Sequence, residues 1–293
     1  MSFVYPLRSY KRIIFTAFFF FCLLAAGHTA RAGECKASYG DSGTVFRLAT
    51  GSPGELGLLS TLAEAFHTEY PATLCWIKAG SGKSLRLLKE KKVDAVMVHA
   101  PAAEKKAVSD GWAVNRSLIG SNEFYIVGPK DDPAGISKAV SAADAYARIA
   151  AAKADFLSRG DNSGTHKKEM GIWQTAGIHP QGDWYVITKD FMMATLKKAN
   201  TVNGYFMTDS STWVAGKKEL NHLTVLFRGD PVLINTYHGL CQPKGATPAQ
   251  AAAEAFIDFL GSDKGQTIIR DYGKAEYGEA MYNNATYAKQ YAR

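Results

Sequence analysis

Short apolar runs alternate with polar, glycine-rich stretches along this chain. The runs are rich in Val, Ile, Phe and Tyr, which favour strands, while Gly, Pro, Asp and Ser cluster between them. The pattern predicts strands at residues 44–49, 74–77, 94–99, 124–129, 156–157, 184–187, 205–209, 223–227 and 232–237.

Between the strands, apolar residues recur at the three- to four-residue spacing of amphipathic helices. Leu56, Leu59, Leu62 and Phe66 share one such face. Strands that alternate with helices are typical of parallel sheets covered on both faces, so the predicted fold class is α/β. Other helices are predicted at residues 102–110, 141–152, 192–199, 249–260 and 263–272, and directly after residues 79–84 and 158–165.

Three strand-to-helix junctions carry small and hydroxyl residues: Thr50-Gly51-Ser52, Gly80-Ser81-Gly82 and Ser163-Gly164-Thr165. The first backbone N–H groups of a helix have no partner inside it, and the helix end is partly positive. Glycine allows a ligand to approach the backbone, and these junctions would meet at one edge of the sheet. They predict a socket for a small oxyanion with donors from Thr50, Ser52, Ser81, Ser163, Gly164 and Thr165.

Two charged residues belong to the third junction. Arg159 can supply a planar set of N–H donors to an anion. Asp161 could accept a proton from a protonated anion or pair with Arg159 and fix its orientation, and the pairing is favoured. Each junction alone is equally well explained by helix capping, so the binding interpretation depends on their recurrence.

Other chemistry is weakly indicated. Gly80 to Ser84 approaches a nucleotide P-loop, but Ile77 stands where its first glycine belongs, and Lys83 is typical of a solvated surface lysine. His99 could face a cleft, although a hydrogen-bonded packing role is commoner. Asp161, Ser163 and His166 are hydrolase residue types, but Ser163 and His166 are too close in sequence for a usual triad. We predict no enzyme activity.

The first residues predict export. Arg8, Lys11 and Arg12 precede an apolar run at 13–26, and Ala30-Arg31-Ala32 is a cleavage pattern. Residues 1–32 are therefore a predicted signal peptide that directs the chain to the periplasm. Its removal takes away four basic residues and lowers the net charge from +7 to +3, too little for a nucleic-acid partner.

The cysteines predict neither a metal site nor a particular pairing. Cys35, Cys75 and Cys241 remain after cleavage, and an oxidising compartment permits one disulfide with one thiol left over. Their scattered positions lack metal-ligand spacing.

The chain resembles periplasmic solute-binding proteins of ABC importers, most closely the tungstate-binding family. Residues 158–169 resemble that family's central motif almost letter for letter, and residues 96–101, 127–136 and 208–209 follow in its order. The resemblance implies the type II periplasmic binding-protein fold, in which two lobes, each a mainly parallel sheet with flanking helices, are joined by two crossover strands. It implies one lobe from residues 33–124 plus 237–293 and another from 125–236.

The resemblance also implies the function. A monomer would capture tungstate, or else molybdate, as an anion in a closing cleft, without a cofactor, and deliver it to an ABC permease in the inner membrane. Ala49 and Gly51 depart from the family by replacing hydroxyl residues, and phosphate binders share the pattern of residues 159–165. Binding of phosphate or another anion, and a sensor that acts through a partner, remain alternatives.

Overall fold

Strands make up one continuous mixed sheet in the computed structural model, which describes residues 1–4, 34–41 and 43–291. The predicted signal peptide, apart from residues 1–4, lies outside the described residues. The strands are β1 (Ala37–Tyr39), β2 (Thr44–Thr50), β3 (Ala72–Lys78), β4 (Ala95–Val98), β5 (Val114–Pro129), β6 (Phe156–Ser158), β7 (Tyr185–Ile187), β8 (Tyr205–Asp209), β9 (Leu223–Phe227), β10 (Ile234–Cys241) and β11 (Asn283–Asn284).

Helices connect most of these strands, as the apolar spacing predicts. Within the described residues, none has the length and apolar character needed to cross a membrane. The helices are α1 (Ser52–Glu55), α2 (Leu58–His67), α3 (Ser81–Lys89), α4 (Pro101–Ser109), α5 (Ala142–Ala152), α6 (Gly164–Thr175), α7 (Met192–Val202), α8 (Ser210–Gly216), α9 (Gln250–Gly261), α10 (Asp263–Asp271), α11 (Lys274–Tyr277) and α12 (Ala285–Ala288).

The strand order is β1-β3-β2-β4-β10-β5-β8-β6-β7, with β9 and β11 also paired to β5. β2 pairs in parallel with β3 and β4, and β6 pairs in parallel with β7 and β8. β5 and β10 run antiparallel to their neighbours between these two groups. The predicted α/β class is confirmed: two lobes with parallel central strands are joined by two crossover strands.

The long strand β5 changes partner where it passes between the lobes. It pairs with β10 up to Glu123 and with β8 from Phe124 onward. The apolar pattern predicts only residues 124–129 of it, because the preceding half carries buried polar residues such as Ser121 and Asn122. The lobe boundaries at 124/125 and 236/237 stay predictions.

Each lobe has its own apolar core. In the first lobe, Phe66 packs edge-on against Phe46 and Phe256, with ring centroids 6.1 and 5.2 Å away. In the second, Trp173 packs on Tyr146 and Phe156, with centroids 4.3 and 5.2 Å away. These cores hold the loops at the strand ends in fixed positions.

A disulfide joins Cys35 to Cys75, with their Cα atoms 5.4 Å apart. It ties the segment before β1 to β3, and Cys241 is a buried free thiol. The expectation of one permitted disulfide and one remaining thiol agrees with this arrangement, although the sequence left the pairing open.

Candidate functional site

A small, largely enclosed cavity lies between the lobes, at the carboxyl ends of β2, β3, β4 and β6. Parallel strands bring the loops that follow them to one edge of the sheet. Five predicted residues line the cavity: Thr50, Ser52, Ser81, Arg159 and Ser163. The lining also includes Gly51, Pro53, Gly80, Met97, His99, Phe191 and Tyr237.

Arg159 supplies a buried positive charge to this cavity. It directly follows β6, and only 4% of its surface is exposed. Its Nη2 donates to Asp161 at 2.5 Å, whereas its buried Nε has no hydrogen-bond partner within the described part of the chain. Since a buried guanidinium N–H without an acceptor is unfavourable, Arg159 suits an anionic ligand.

Asp161 holds Arg159 in place. Its Oδ2 accepts from Arg159, and its Oδ1 accepts from the backbone N–H of Ser163 at 3.1 Å. Burial raises the pKa of Asp161, but the charge of Arg159 and the hydrogen bond from Ser163 outweigh it, so the pKa lies below its usual value. The carboxylate is therefore ionised and engaged through both oxygens.

Ser163 and Ser81 face each other across the cavity as hydroxyls that accept one hydrogen bond each. Ser163 Oγ caps α6 by accepting from the backbone N–H of His166 at 3.3 Å. Ser81 Oγ accepts from the backbone N–H of His99 at 3.2 Å. Neither of these bonds uses the hydroxyl proton. The proton of Ser81 is available to a ligand, and that of Ser163 can be donated to a ligand or to the neighbouring carboxylate of Asp161.

Thr50 lines the same cavity, but its hydroxyl group already donates a hydrogen bond within the protein. It is fully buried, and its Oγ1 donates to the carbonyl of Met97 at 2.9 Å. Its single hydroxyl proton is thus already committed to the backbone of β4. Thr50 holds the ends of β2 and β4 together rather than offering a hydroxyl donor.

Two helix N-termini point their first turns toward the cavity edge. Gly80 is the N-cap of α3 and makes no side-chain capping bond, so the first amides of α3 lack a partner inside the helix. Ser163 is the N-cap of α6 and satisfies only the amide of His166. The two ends come from different lobes, and together they form a partly positive environment.

The lobes meet directly around the cavity, at glycines. A Cβ placed on Gly80 would lie 3.1 Å from Cβ of Ser163, and one on Gly164 would lie 2.5 Å from Cε1 of His99. Residues with side chains would separate these surfaces. The structure is therefore a closed arrangement of the lobes.

His99 is both a cavity residue and a hydrogen-bonded one. Its Nδ1 lies 2.9 Å from Oδ1 of Asn235, and Nδ2 of Asn235 donates to Oδ1 of Asn122 at 2.7 Å. Nδ2 of Asn122 in turn donates to the carboxylate of Asp209. This direction requires Nδ1 of His99 to carry the proton, and burial lowers the pKa of His99 to about 4, so the ring is neutral.

Phe191 forms one wall of the cavity, and the polar pattern of the sequence gives no sign of it. It is the N-cap residue of α7, and its ring lies 5.5 Å from the guanidinium carbon of Arg159. On the first lobe, Nζ of Lys78 lies 4.1 Å from the same ring. Lys78 also forms an ion pair with Glu55 at 2.5 Å. The aromatic ring thus joins cations of both lobes.

A buried carboxyl lies beneath the second lobe's half of the site. Glu169, on α6, accepts hydrogen bonds from Tyr185 at 2.6 Å and from Ser158, the residue before Arg159, at 2.9 Å. Its surface is 1% exposed, and burial raises its pKa to about 7. Ordinary pH changes can therefore alter its charge.

Other predicted residues lie next to the cavity. Asp161, Gly164 and Thr165 are not among its lining residues, although the buried hydroxyl of Thr165 lacks a partner among the described residues. Their ligand contacts stay predictions. Lys83 is exposed and does not line the cavity, as expected of a surface lysine.

The geometry argues against a hydrolase. Ser163 Oγ accepts from the backbone of His166, whereas the His166 ring accepts from the backbone N–H of Asn162 at 3.0 Å. The ring therefore cannot serve as a base for Ser163 in this arrangement. In the described residues, no group of three or more His, Cys, Asp or Glu side chains is arranged to hold a metal ion.

The lining residues that the sequence did not single out as ligand donors fall into two kinds. Gly51, Pro53 and Gly80 are neighbours of predicted residues, so the junction motifs locate them. Met97, Phe191 and Tyr237 reach the cavity through tertiary packing, and the sequence around them carries no anion-binding signal.

Comparison with known proteins agrees with this geometry. Residues 29–264 match the PBP superfamily domain. The chain is 32% identical to the tungstate-binding protein TupA of Peptoclostridium acidaminophilum, with 92% of this chain and 96% of that one covered. It is 35% identical to a putative ABC transporter anion-binding protein of Haloferax volcanii, with 87% and 76% covered.

Solved structures give the same result. The tungstate ABC transporter structure from Geobacter sulfurreducens is 37% identical with a TM-score of 0.71, covering 79% of this chain and all of that one. TupA from Desulfovibrio alaskensis G20 is 34% identical with a TM-score of 0.69, covering 83% and 99%. By fold and site, the chain is a solute-binding protein of the PBP superfamily. Within that superfamily it belongs to the family of tungstate-binding proteins of ABC transporters.

Proposed function

We propose that this protein captures tungstate, or a closely similar fully ionised tetrahedral oxyanion such as molybdate, between its two lobes. One observation carries the proposal. The cavity combines the buried guanidinium of Arg159, whose Nε has no hydrogen-bond partner among the described residues, with two hydroxyl groups from opposite lobes, those of Ser81 and Ser163. Its named relatives are tungstate- and anion-binding proteins rather than enzymes.

Lobe closure contributes to affinity. Contact between the lobes excludes water from the cavity, and the lower local dielectric strengthens each charged hydrogen bond. A ligand that bridges Ser81 and Ser163 stabilises the closed arrangement, since it interacts with both lobes only when they meet.

The state of Asp161 favours an anion without protons. Hydrogen phosphate would need an acceptor for its proton, and Asp161 is the acidic residue of the motif that phosphate binders share. Both Asp161 oxygens already accept hydrogen bonds from Arg159 and Ser163. Tungstate, molybdate and sulfate have no proton to donate at neutral pH, and they require no such acceptor.

Membership of the family supports a cellular role in uptake. The protein acts in the periplasm after cleavage of the signal peptide behind Ala32, and it delivers the anion as a monomer to an ABC permease in the inner membrane. No resident cofactor takes part, because the oxyanion is the cargo.

A thermal-shift panel tests the ligand assignment. The chain from Gly33 onward is heated with tungstate, molybdate, sulfate or phosphate at equal concentration, and a ligand that binds only the folded state raises the melting temperature. We expect the largest rise with tungstate or molybdate. A rise with phosphate alone would reject the assignment, and so would no rise with any of the four anions.

A further inference from the structure

The contact between the first turn of α3 and the loop before α6 depends on a missing side chain. A Cβ placed on Gly82 would lie 2.7 Å from the backbone carbonyl oxygen of Asn162. Real Cβ atoms do not approach backbone atoms this closely, so a side chain at Gly82 requires one of the two segments to move.

Neither segment can move independently of its lobe. α3 packs through Leu85 and Leu88 into the apolar core of the first lobe. Asn162 has a left-handed backbone, with φ of 57°, and its N–H donates to Nδ1 of His166 at 3.0 Å. The loop is further fixed by the ion pair between Arg159 and Asp161. A displaced Asn162 carbonyl would therefore distort the loop that holds Arg159.

Gly82 differs from the other glycines where the lobes meet. Gly80 lines the cavity, and Gly164 begins the helix whose amides face it, so substitutions there also alter the ligand's surroundings. Gly82 does not line the cavity, and it lies in α3 with no left-handed backbone. Alanine at this position keeps the backbone N–H and favours the helix by itself.

We propose that Gly82 determines how completely the lobes close, and that the absence of its side chain thereby sets ligand affinity independently of its backbone N–H, which alanine retains. The methyl group of Gly82→Ala opposes the closed arrangement and is accommodated when the lobes are apart. This inference rests on the proposed function, since it assigns Gly82 a positioning role in anion capture.

The test compares the wild type with Gly82→Ala and Gly171→Ala. Gly171 is a matched control because it is also a helical glycine near the lobe junction, and a Cβ placed on it meets nothing within 4 Å. Tungstate affinity is measured by calorimetry and dissociation by stopped flow. We expect Gly82→Ala to weaken binding about tenfold to a hundredfold, mainly through faster dissociation, and Gly171→Ala to bind as the wild type does.

Stability without ligand separates this role from a general structural one. The melting temperature of ligand-free Gly82→Ala should equal or exceed that of the wild type, because alanine favours helix. Wild-type affinity in a normally folded Gly82→Ala would overturn the proposal. Weaker binding accompanied by an equally large loss of ligand-free stability would also overturn it.

A wrong ligand assignment can be distinguished from a wrong role for Gly82. If the wild type bound no tungstate, the proposed ligand would be rejected, and the same comparison with whichever of molybdate, sulfate and phosphate raised its melting temperature would still test Gly82. Gly82→Ala should weaken binding of that anion while Gly171→Ala does not, and equal affinity of the two variants would contradict the role of Gly82.

Discussion

Thr50 and Ser163 occupy matching places in the two lobes but serve different purposes. Each is a buried hydroxyl residue where a strand gives way to a helix, and each lines the cavity. Thr50 donates its proton to the carbonyl of Met97, whereas Ser163 accepts from His166 and can donate its proton to a ligand or to the neighbouring carboxylate of Asp161. The difference shows that a sequence motif locates a hydroxyl, while the neighbouring strand determines what that hydroxyl can do.

The two lobes also differ in the charge that they contribute to the cavity. The second lobe contributes the charged side chain of Arg159, held by Asp161. The cavity residues of the first lobe, Thr50, Ser52 and Ser81 among them, are uncharged, and the ring of His99 is neutral. Affinity should therefore depend mainly on the second lobe. The first lobe should contribute the hydroxyl of Ser81 and the amides of α3.

Removal of the charge should have the largest effect. Arg159→Ala eliminates the charged hydrogen bonds to the anion, worth about 1.5–3 kcal/mol, so tungstate affinity should fall about tenfold to a hundredfold in calorimetry. Arg86→Ala is the matched control, because it removes an exposed arginine that does not line the cavity. Equal affinity for both variants would show that Arg159 makes no direct contact with the anion.

Replacement of Ser163 should have the next largest effect. Ser163→Ala removes a hydroxyl donor from the cavity and the cap of α6, so affinity should drop about tenfold, and the free energy of unfolding should fall by about 1 kcal/mol. Calorimetry and urea denaturation measure the two quantities. A loss of stability without any loss of affinity would reduce Ser163 to a helix cap.

Glu169 sharpens the comparison because it is a buried titratable group beneath the second lobe's half of the site. Its pKa in the folded protein, about 7, exceeds its ordinary value of 4.5, so the stability that its protonation confers is present below about pH 4.5. That stability is lost as the pH rises through about 7. Glu169→Gln should remove this dependence, worth about 2 kcal/mol in unfolding free energy between about pH 5 and pH 8.

Urea unfolding of both proteins at the two pH values provides the measurement. Tyr185 and Ser158 keep a polar partner in the variant, since the glutamine amide can both donate and accept. The same pH dependence in wild type and Glu169→Gln would mean that another group titrates.

Thr50→Val should have the smallest effect on binding. Valine matches the shape of threonine and removes the hydrogen bond to Met97, so the free energy of unfolding should fall by about 1 kcal/mol, while tungstate affinity changes less than about twofold. Thermal unfolding and calorimetry on the same sample measure both. A loss of affinity as large as that of Ser163→Ala would contradict the contrast between the two hydroxyls.

The sequence predicts the parts of this molecule that depend on local chemistry. Amphipathic spacing locates α2, α5 and α9, and glycine–hydroxyl junctions locate the loops that surround the cavity. The resemblance of residues 158–169 to the tungstate-binding family also favours the pairing of Arg159 with Asp161, which the structure shows.

Features that depend on contacts between residues far apart along the chain could not be predicted from the sequence. The first half of β5 lacks an apolar pattern because Asn122 is buried against Asn235 and Asp209, residues far along the chain. β1 is short and held by the disulfide of Cys35. Phe191 and Tyr237 reach the cavity only after the lobes assemble, so no local pattern predicts them.

The most direct test of the central claim is the position of bound tungsten. A crystal of the protein with tungstate would locate the metal by its anomalous scattering. We predict one peak between the lobes, within hydrogen-bonding range, through its oxygens, of Arg159, Ser81 and Ser163. A peak on the exposed lysines outside the cleft, or no peak in a tungstate-saturated crystal, would contradict the account.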